Sequence, residues 1–280
     1  MKKTWSVIAA LAALALFAGA QDKETTPYTN TSFARISYIS GASFVQRSQD
    51  LGYEESELNT PLAEGDRIGT TDGRLEIHLG KRIFLRLDQN TKIDFAALPK
   101  RDSDLIRIRQ WSGHLYLDAG TLTREKQIEI LTNDATFYIL DPGLYRIDVR
   151  PNGETEILVF RGLVEAAGAD GSLLVKNANR LILTGGRFQG RPASFFAAAF
   201  EDAFDRFNEN RASIVNRQFG RRYLPEELSD LEYELDEYGE WTSTDEWGYV
   251  WVPRGMASDW RPYYMGHWTW IPFAGWVCGP

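Results

Sequence analysis

The sequence predicts a mainly β protein in which a large all-β domain is followed by an amphipathic helix and a small Trp-rich β-repeat segment. Three observations predict this order. Between Phe33 and Thr184, short apolar runs alternate with polar residues at every second position, and turn signals separate them. From Arg191 the apolar residues recur at helical spacing. Seven of the nine tryptophans lie between Trp241 and Trp276, which concentrates the large aromatic side chains in one short segment.

The first twenty residues have the three parts of a secretory signal peptide. Two lysines, Lys2–Lys3, precede an unbroken apolar run from Val7 to Phe17, and small residues follow at Ala18–Ala20. We therefore expect residues 1–20 to be removed and the mature protein to be periplasmic or secreted. The alternative is an uncleaved N-terminal anchor, which would be the only contact with a membrane. Residues 21–32 are polar and rich in threonine, and are predicted to be a flexible leader.

The clearest strand pattern lies between Arg74 and Leu87, where apolar and polar residues alternate on both sides of a turn. A period of two places one row of side chains in the core and the other in solvent or against a partner. We therefore expect Ile77, Leu85 and, further along the chain, Ile147 to face inward. The opposite row, which includes His78 and Arg86, is expected to face solvent. The succession of short strands is typical of a sandwich, a barrel or a solenoid.

The motif order of this region resembles that of the FecR-like domain, an all-β periplasmic module. The first half of the resemblance rests on Gly65-Asp66-x-Ile68-x-Thr70, the two alternating strands, and Leu87-Asp88-x-Asn90-Thr91. The second half rests on Asp141–Val149 and Val159–Val164. The resemblance extends more loosely to about Thr184, and we assign residues 33–190 to this domain. It implies a FecR-type sandwich or solenoid-like fold that offers a surface for protein contacts, and it names no ligand.

Residues 191–222 are predicted to form an amphipathic helix. Its apolar face has helical spacing, and the residues of that face are Phe196, Phe200, Ala203, Phe204 and Phe207. Pro192 suits the first turn of such a helix because its missing N–H would have no partner there. We expect the phenylalanine face to pack on the β-domain. A partner-binding stripe is the alternative.

Residues 223–280 combine an acidic linker with an internal repeat. Between Tyr223 and Pro253 there are ten acidic residues and no Lys or Arg, which predicts a solvated linker or, alternatively, a docking surface for a basic partner. From Gly239 onward, six residues recur after 27 positions, beginning with Gly266. The shared Gly, Trp and Pro residues set turns and strand ends. Each copy is therefore predicted to form a short β-hairpin.

The same segment resembles a Trp/Gly-rich domain of unknown function that often follows FecR-like domains in exported bacterial proteins. The residues that carry the resemblance are Tyr238-Gly239-x-Trp241, Val250-Trp251-x-Pro253, Trp260-Arg261-Pro262-Tyr263 and Gly266-His267-Trp268-Thr269-Trp270. It covers roughly Leu224 to Trp276. The candidate ligand or partner surface consists of Trp241, Trp251, Trp260, Trp268, Trp270 and Trp276. Two interpretations stay open: these rings bury one another as a small core, which we favour, or they form a stacking platform for sugars.

The sequence contains no recognisable catalytic, cofactor-binding or metal-binding constellation. His78, His114 and His267 lack metal-ligand partners at a recognisable spacing, and Cys278 is the only cysteine. The formal net charge of −8 argues against nucleic acid as a partner. We therefore expect a non-enzymatic, exported cell-envelope protein without a cofactor, which acts in protein binding, scaffolding or envelope signalling. Envelope proteins are the expected partners, and binding of a cell-wall polysaccharide through the tryptophans is the alternative.

The N-terminal pattern generates the first prediction. The mature protein is expected to begin at Gln21, because signal peptidase cleaves after a small-x-small sequence such as Ala18-Gly19-Ala20. Mass spectrometry of the exported protein measures this directly. A mass that still includes residues 1–20 would contradict cleavage and favour the anchor.

Overall fold

The computed structural model describes residues 34–48, 50–80, 82–99, 103–120, 122, 127–196, 201–216, 223–224 and 231–257, together with the backbone of residues 267–271 and 275–279. The predicted signal peptide and flexible leader lie outside these residues. Among the residues that the structure describes, the strands account for 54% and the helices for 11%, which confirms the mainly β class.

In the described residues, eighteen strands precede two helices, and four further strands follow the helices. The first strands are β1 (Ala34–Ser40), β2 (Ser43–Gln46), β3 (Glu54–Glu55), β4 (Pro61–Leu62), β5 (Arg67–Thr70), β6 (Arg74–His78), β7 (Ile83–Leu87), β8 (Lys92–Ala97) and β9 (Ile106–Ala119). The next are β10 (Ile128–Leu131), β11 (Thr136–Ile139), β12 (Gly143–Val149), β13 (Glu154–Arg161), β14 (Leu163–Gly168), β15 (Gly171–Lys176), β16 (Asn179–Thr184), β17 (Arg187–Phe188) and β18 (Ala193–Ser194). The C-terminal part contains α1 (Ala203–Val215), α2 (Glu232–Tyr238), β19 (Gly239–Thr244), β20 (Gly248–Pro253), β21 (His267–Ile271) and β22 (Gly275–Gly279).

The strands β1 to β18 form one continuous mixed sheet that is folded into two layers. Layer A has the order β4-β1-β6-β7-β9-β12-β13-β16, with β17 and β18 beside β16. Layer B has the order β3-β2-β5-β8-β9-β10-β11-β14-β15, in which only the pairing of β9 with β10 is parallel. The inward-facing side chains of both layers form a single apolar core. Ile77, Leu85 and Ile147 are all fully buried in it, as predicted.

Strand β9 belongs to both layers because it bends at Gly113. Its first half pairs with β8 in layer B, and its second half pairs with β12 in layer A. Gly113 has a φ of 84°, and a Cβ at this position would lie 2.5 Å from the Cα of Thr91. Only glycine accepts both the positive φ and the close approach. The bend therefore closes one side of the core without a break in the chain.

The amphipathic helix is shorter than the predicted range of 191–222. Helix α1 begins at Ala203, while Pro192 precedes strand β18 and Phe196 is largely exposed. The start is fixed by a capping box, in which Asp202 accepts hydrogen bonds from two helix amides and the carboxylate of Asp205 accepts one from the amide of Asp202. Three backbone amide donors are satisfied in this way, which is a stronger start signal than a proline alone.

Part of the predicted acidic linker is a docked helix. Helix α2 places Glu232 and Tyr233 in buried positions, and Glu234 forms an ion pair of 2.6 Å with Arg35 of strand β1. The ring of Tyr233 meets Phe84 of layer A edge to face at 5.5 Å. The abundance of carboxylates suggested a fully solvated segment. Here an arginine partner and an aromatic contact make burial of the helix favourable.

The outer face of layer A is buried, which contradicts the prediction for His78 and Arg86. Helix α1 lies across this face, and Arg86 is completely inaccessible to solvent. Its guanidinium donates to Glu76 Oε2 at 2.7 Å and to Asn208 Oδ1 of α1 at 2.6 Å. Arg211 of α1 donates to the other oxygen of Glu76 at 2.9 Å. The alternating pattern identified the second face correctly, but a helix rather than water covers it.

A second buried ion network holds the first turn of α1. Arg146 of β12 donates to Asp148 at 2.9 Å, to Asp205 at 2.6 Å and to Asp202 at 2.8 Å. The hydroxyl of Tyr116 also donates to Asp205. Burial disfavours the ionised form of Asp202, but the hydrogen bond and charge of Arg146, together with the hydrogen bonds from the amides of Asp205 and Phe204, outweigh it and lower the pKa of Asp202 to about 2. The capping residue is therefore also an ion-pair partner of the sheet.

Removal of Arg86 tests whether this face is buried. Arg86→Ala is expected to cost about 3–5 kcal/mol of unfolding free energy, because Glu76 would then be an incompletely compensated buried charge. Arg187→Ala is the matched control, since Arg187 is exposed in β17, and it should cost less than about 0.5 kcal/mol. Urea denaturation of both variants gives the two values. Equal small costs would mean that α1 does not cover layer A in solution.

Protonation of Asp202 gives a pH prediction. Its pKa is about 2 in the folded protein and 3.8 in the unfolded chain, so its contribution is complete above pH 3.8 and is lost as the pH falls towards 2. Asp202→Asn keeps a capping oxygen but removes the charge. Thermal unfolding between pH 5 and pH 2 should therefore be less pH-dependent in this variant than in the natural chain. Parallel curves for the two proteins would contradict the ion pair with Arg146.

Candidate interaction site

The outer faces of the two layers differ in what covers them. Layer A carries α1 and α2, whose side chains contact Tyr38, Phe84 and Tyr116. Layer B carries no helix among the residues that the structure describes. Its outer face therefore has no helix packed on it in this part of the chain, and it contains a groove.

The groove has a volume of about 550 Å³ and lies across β2, β5, β8 and β9. Aromatic, hydroxyl, amide and cationic side chains surround it, and no carboxylate is among them. The lining residues are Phe44, Tyr53, Arg67, Gly69, Thr70, Thr71, Asn90, Thr91, Lys92 and Ser112. Tyr53 is 57% exposed, so one wall of the groove is an accessible aromatic ring. The groove can therefore hold an apolar side chain between two rings and a polar rim.

A glycine forms the floor of this groove. Phe44, Gly69 and Lys92 lie side by side on β2, β5 and β8, in one row of the outer face. A Cβ on Gly69 would meet nothing nearer than the carbonyl oxygen of Thr91, at 4.0 Å. The space above Gly69 exists because this outward position of an alternating strand has no side chain. A larger residue would fill the groove without displacing the backbone.

One rim of the groove is cationic. Arg67 donates two hydrogen bonds to Asp94, at 2.5 and 2.8 Å, and the indole of Trp111 donates a third at 2.7 Å. Burial raises the pKa of Asp94, but these donors outweigh it and hold the pKa below its ordinary value. Arg109 stacks on Trp111, 4.2 Å from the ring centroid. Lys92 makes no ion pair within the described part of the chain, so the rim keeps a positive charge.

Two of the predicted surface tryptophans pack inside the C-terminal unit. Trp241 and Trp251 face each other across the β19–β20 hairpin. The indole N–H of Trp251 donates to the carbonyl of Leu235 in α2 at 2.8 Å. The ring of Trp251 also packs closely against Gly239, because a Cβ at that position would lie only 2.2 Å from the nearest ring atom. Trp241 contacts the ring of Tyr223 at 5.4 Å. These contacts favour the interpretation that both rings are core residues.

For the remaining predicted tryptophans, the structure describes at most the backbone. Trp260 lies outside the described residues. Trp268 is opposite Cys278, and Trp270 is opposite Trp276, in the backbone pairing of β21 with β22. This register is that of β19 and β20 shifted by 27 residues, since Thr242 pairs with Val250 and Thr269 pairs with Val277. Both copies of the repeat therefore form equivalent hairpins, as predicted.

Sequence reasoning missed Trp247, which is the most exposed tryptophan of the described residues. It lies in the turn between β19 and β20 and is 74% accessible, and Asp245 and Glu246 beside it are exposed as well. The position has no tryptophan in the second copy, where Ala274 replaces it, so the repeat did not single it out. Sequence reasoning also missed the groove. The sequence feature that could have indicated the groove was Gly69, a glycine at an outward position of a strand.

His78 and His114 have contacts of ordinary structural kinds, and the side chain of His267 lies outside the described part of the chain. His78 stacks on Phe84 with 4.6 Å between ring centroids. His114 Nδ1 lies 2.9 Å from an oxygen of Asp148, and this hydrogen bond raises the pKa of the imidazole. Within the described ranges, no three His, Cys, Asp or Glu side chains are grouped so that they could hold a metal ion. In the same ranges, no helix has the length and apolar content needed to span a bilayer.

Comparison with known proteins gives one family match, which is confined to the C-terminal part. Residues 232–279 match a family of unknown function (DUF6600), and this range contains α2 and both hairpins. The resemblance to a Trp/Gly-rich domain of unknown function concerns the same part of the chain. No curated protein matches the sequence. The FecR-like assignment of residues 33–190 stays a prediction.

Two similar solved structures are crystal structures of a protein provisionally assigned as an anti-sigma factor, from Parabacteroides distasonis ATCC 8503. One has 15% sequence identity and covers 55% of this chain and 67% of its own. The other has 14% identity and covers 61% and 73%, respectively. Both have a TM-score of 0.40, so the likeness carries no argument about function.

Proposed function

We propose that this protein is a non-enzymatic, exported protein of the cell envelope that binds a segment of another protein chain in the groove of layer B. The observation that carries the proposal is the apolar groove above Gly69, on a sheet face that none of the described helices covers. Exposed apolar concavities with a polar rim are typical of binding sites. Export is proposed from the signal-peptide pattern of residues 1–20.

The chemistry of the groove suits an acidic segment with one large apolar side chain. Phe44 and Tyr53 offer ring surface, and Gly69 leaves room between the neighbouring strands. Lys92 adds a positive charge that makes no ion pair within the described residues, on a chain whose formal net charge is −8. Opposite charges at the rim favour one partner over another more than they add affinity. The lining residues include no carboxylate with which a basic segment could form an ion pair.

The covered face suits a scaffolding role. Glu76, Arg86 and Arg211 hold α1 on layer A, and the contacts of Tyr233 and Glu234 hold α2 beside it. The hairpin of β19 and β20 follows α2 directly. We therefore propose that the β-domain presents two different surfaces, the groove on layer B and the C-terminal hairpin unit that is attached through layer A.

Binding of a cell-wall polysaccharide through the C-terminal tryptophans is the second candidate. It is favoured by the exposed rings of Trp247 and Tyr249, since sugar rings stack on accessible aromatic faces. The packed positions of Trp241 and Trp251 count against a platform made of the repeated tryptophans. We therefore rank the groove above the platform.

Photo-crosslinking in living cells tests the proposal. A photoreactive phenylalanine analogue at Tyr53 should give a covalent adduct with an envelope protein, because this ring forms the open wall of the groove. The same analogue at Gln189, which is exposed outside the groove, should give none. Gly69→Val should abolish the adduct at Tyr53, since the added side chain fills the groove.

Sedimentation with purified peptidoglycan separates the two candidates. If the groove is the functional site, the mature protein should stay in the supernatant. The glycan candidate would replace the proposal if the protein sediments with peptidoglycan, Trp247→Ala prevents this, and Gly69→Val does not.

A further inference from the structure

We propose that the groove of layer B binds the hairpin tip of a second copy of this chain. The hairpin tip is the turn from Thr244 to Gly248, and its Trp247 would insert above Gly69. The inference rests on the proposed function of the groove and names its occupant. It makes the protein self-associating through two different surfaces.

The hairpin tip has the chemistry that the groove requires. Trp247 is a large apolar side chain that is 74% exposed, and Asp245 and Glu246 precede it directly. No Lys or Arg occurs in the surrounding stretch from Tyr223 to Pro253. The tip therefore presents an exposed apolar side chain beside two negative charges. The groove is an apolar cavity with a positive charge on its rim at Lys92.

The conformation of the hairpin tip is already fixed in the free chain. The hydroxyl of Thr244 accepts a hydrogen bond from the amide of Trp247 at 3.1 Å and donates one to the carbonyl of Gly248 at 3.0 Å. Gly248 has a φ of 69°, which suits glycine at the end of a tight turn. A preorganised turn loses little conformational entropy when it binds. The backbone that carries Trp247 is thus preorganised.

The partner must be a second molecule rather than the same one. The groove lies on the outer face of layer B, whereas α2, from which the hairpin extends, is fixed to layer A by Tyr233 and Glu234. In the single chain Trp247 stays exposed and contacts no groove residue. Within the described residues, the tip and the groove of one molecule do not contact each other, so each can contact another molecule.

This arrangement predicts the geometry of association. A contact between two different surfaces is heterologous, so each copy can bind one neighbour through its tip and another through its groove. Such contacts form a ring if the rotation closes and an open chain if it does not. Species larger than a dimer are therefore expected at high concentration. Salt should weaken them, because the charges at the rim are exposed to solvent.

Sedimentation velocity of the full mature chain over a range of concentrations tests the inference. The natural protein should show a sedimentation coefficient that rises with concentration at low salt and rises less at high salt. Gly69→Val and Trp247→Ala should each abolish the increase of the sedimentation coefficient with concentration. The first variant fills the groove, and the second removes the side chain that would insert into it. The Cβ of the first variant falls in open space, so its melting temperature should be unchanged.

Charge reversal identifies the two surfaces as partners. Lys92→Glu alone and Glu246→Lys alone should each associate more weakly than the natural chain. An equimolar mixture of the two variants should associate more strongly than either alone, because the acidic tip of the first variant meets the natural groove of the second. Lys176→Glu, on the exposed strand β15, is the control and should behave like the natural chain.

The results that overturn the inference are distinct from those that overturn the proposed function. A natural chain that stays monomeric, variants that associate like it, or a mixture that associates no more strongly than either variant alone would each exclude the second copy as the occupant. If Tyr53 still crosslinks to another envelope protein in any of these cases, the groove stands as a binding site and only this inference fails. If no crosslink forms either, both fail.

Discussion

The contact on which the rest of this structure depends is the buried ion network between layer A and helix α1. Glu76 and Arg86 stand on an outward row of the sheet, where they would ordinarily face water. Arg211 donates a hydrogen bond to Glu76, and Asn208 accepts one from Arg86, so α1 supplies partners for both buried charges. Loss of one member of such a network leaves a desolvated charge, which makes the position of the helix specific. The helix in turn determines which face of the β-domain is closed.

The bend of β9 makes the two faces different. Because this one strand passes from layer B to layer A at Gly113, both layers share a core, and the chain alternates between them. Layer A receives α1 and α2, and layer B keeps its outer row open. The groove lies beside the bend, between Ser112 and Gly69. Its shape follows from a missing side chain rather than from a break in the sheet.

Aromatic residues have two separate roles in the C-terminal unit. Trp251 and Trp241 pack against α2 and Tyr223 and so keep the first hairpin folded on its helix. Trp247 makes no contribution to that packing and projects from the turn. Aromatic content alone does not distinguish these roles, because the same residue type provides both a core and an accessible ring. The structure separates them by the direction of each side chain along the hairpin.

The sequence by itself determined the β class, the inward row of Ile77, Leu85 and Ile147, and the paired hairpins of the repeat, since each depends on spacing within a few residues. Only the tertiary structure decided whether the opposite row of side chains faces solvent or a helix. Whether Arg86 meets water or Asn208 depends on a helix more than a hundred residues away, and local periodicity carries no information about it. The same reason applies to the groove. Gly69 forms its floor only because β2 and β8 lie on either side, and pairing between distant strands is a property of the folded chain.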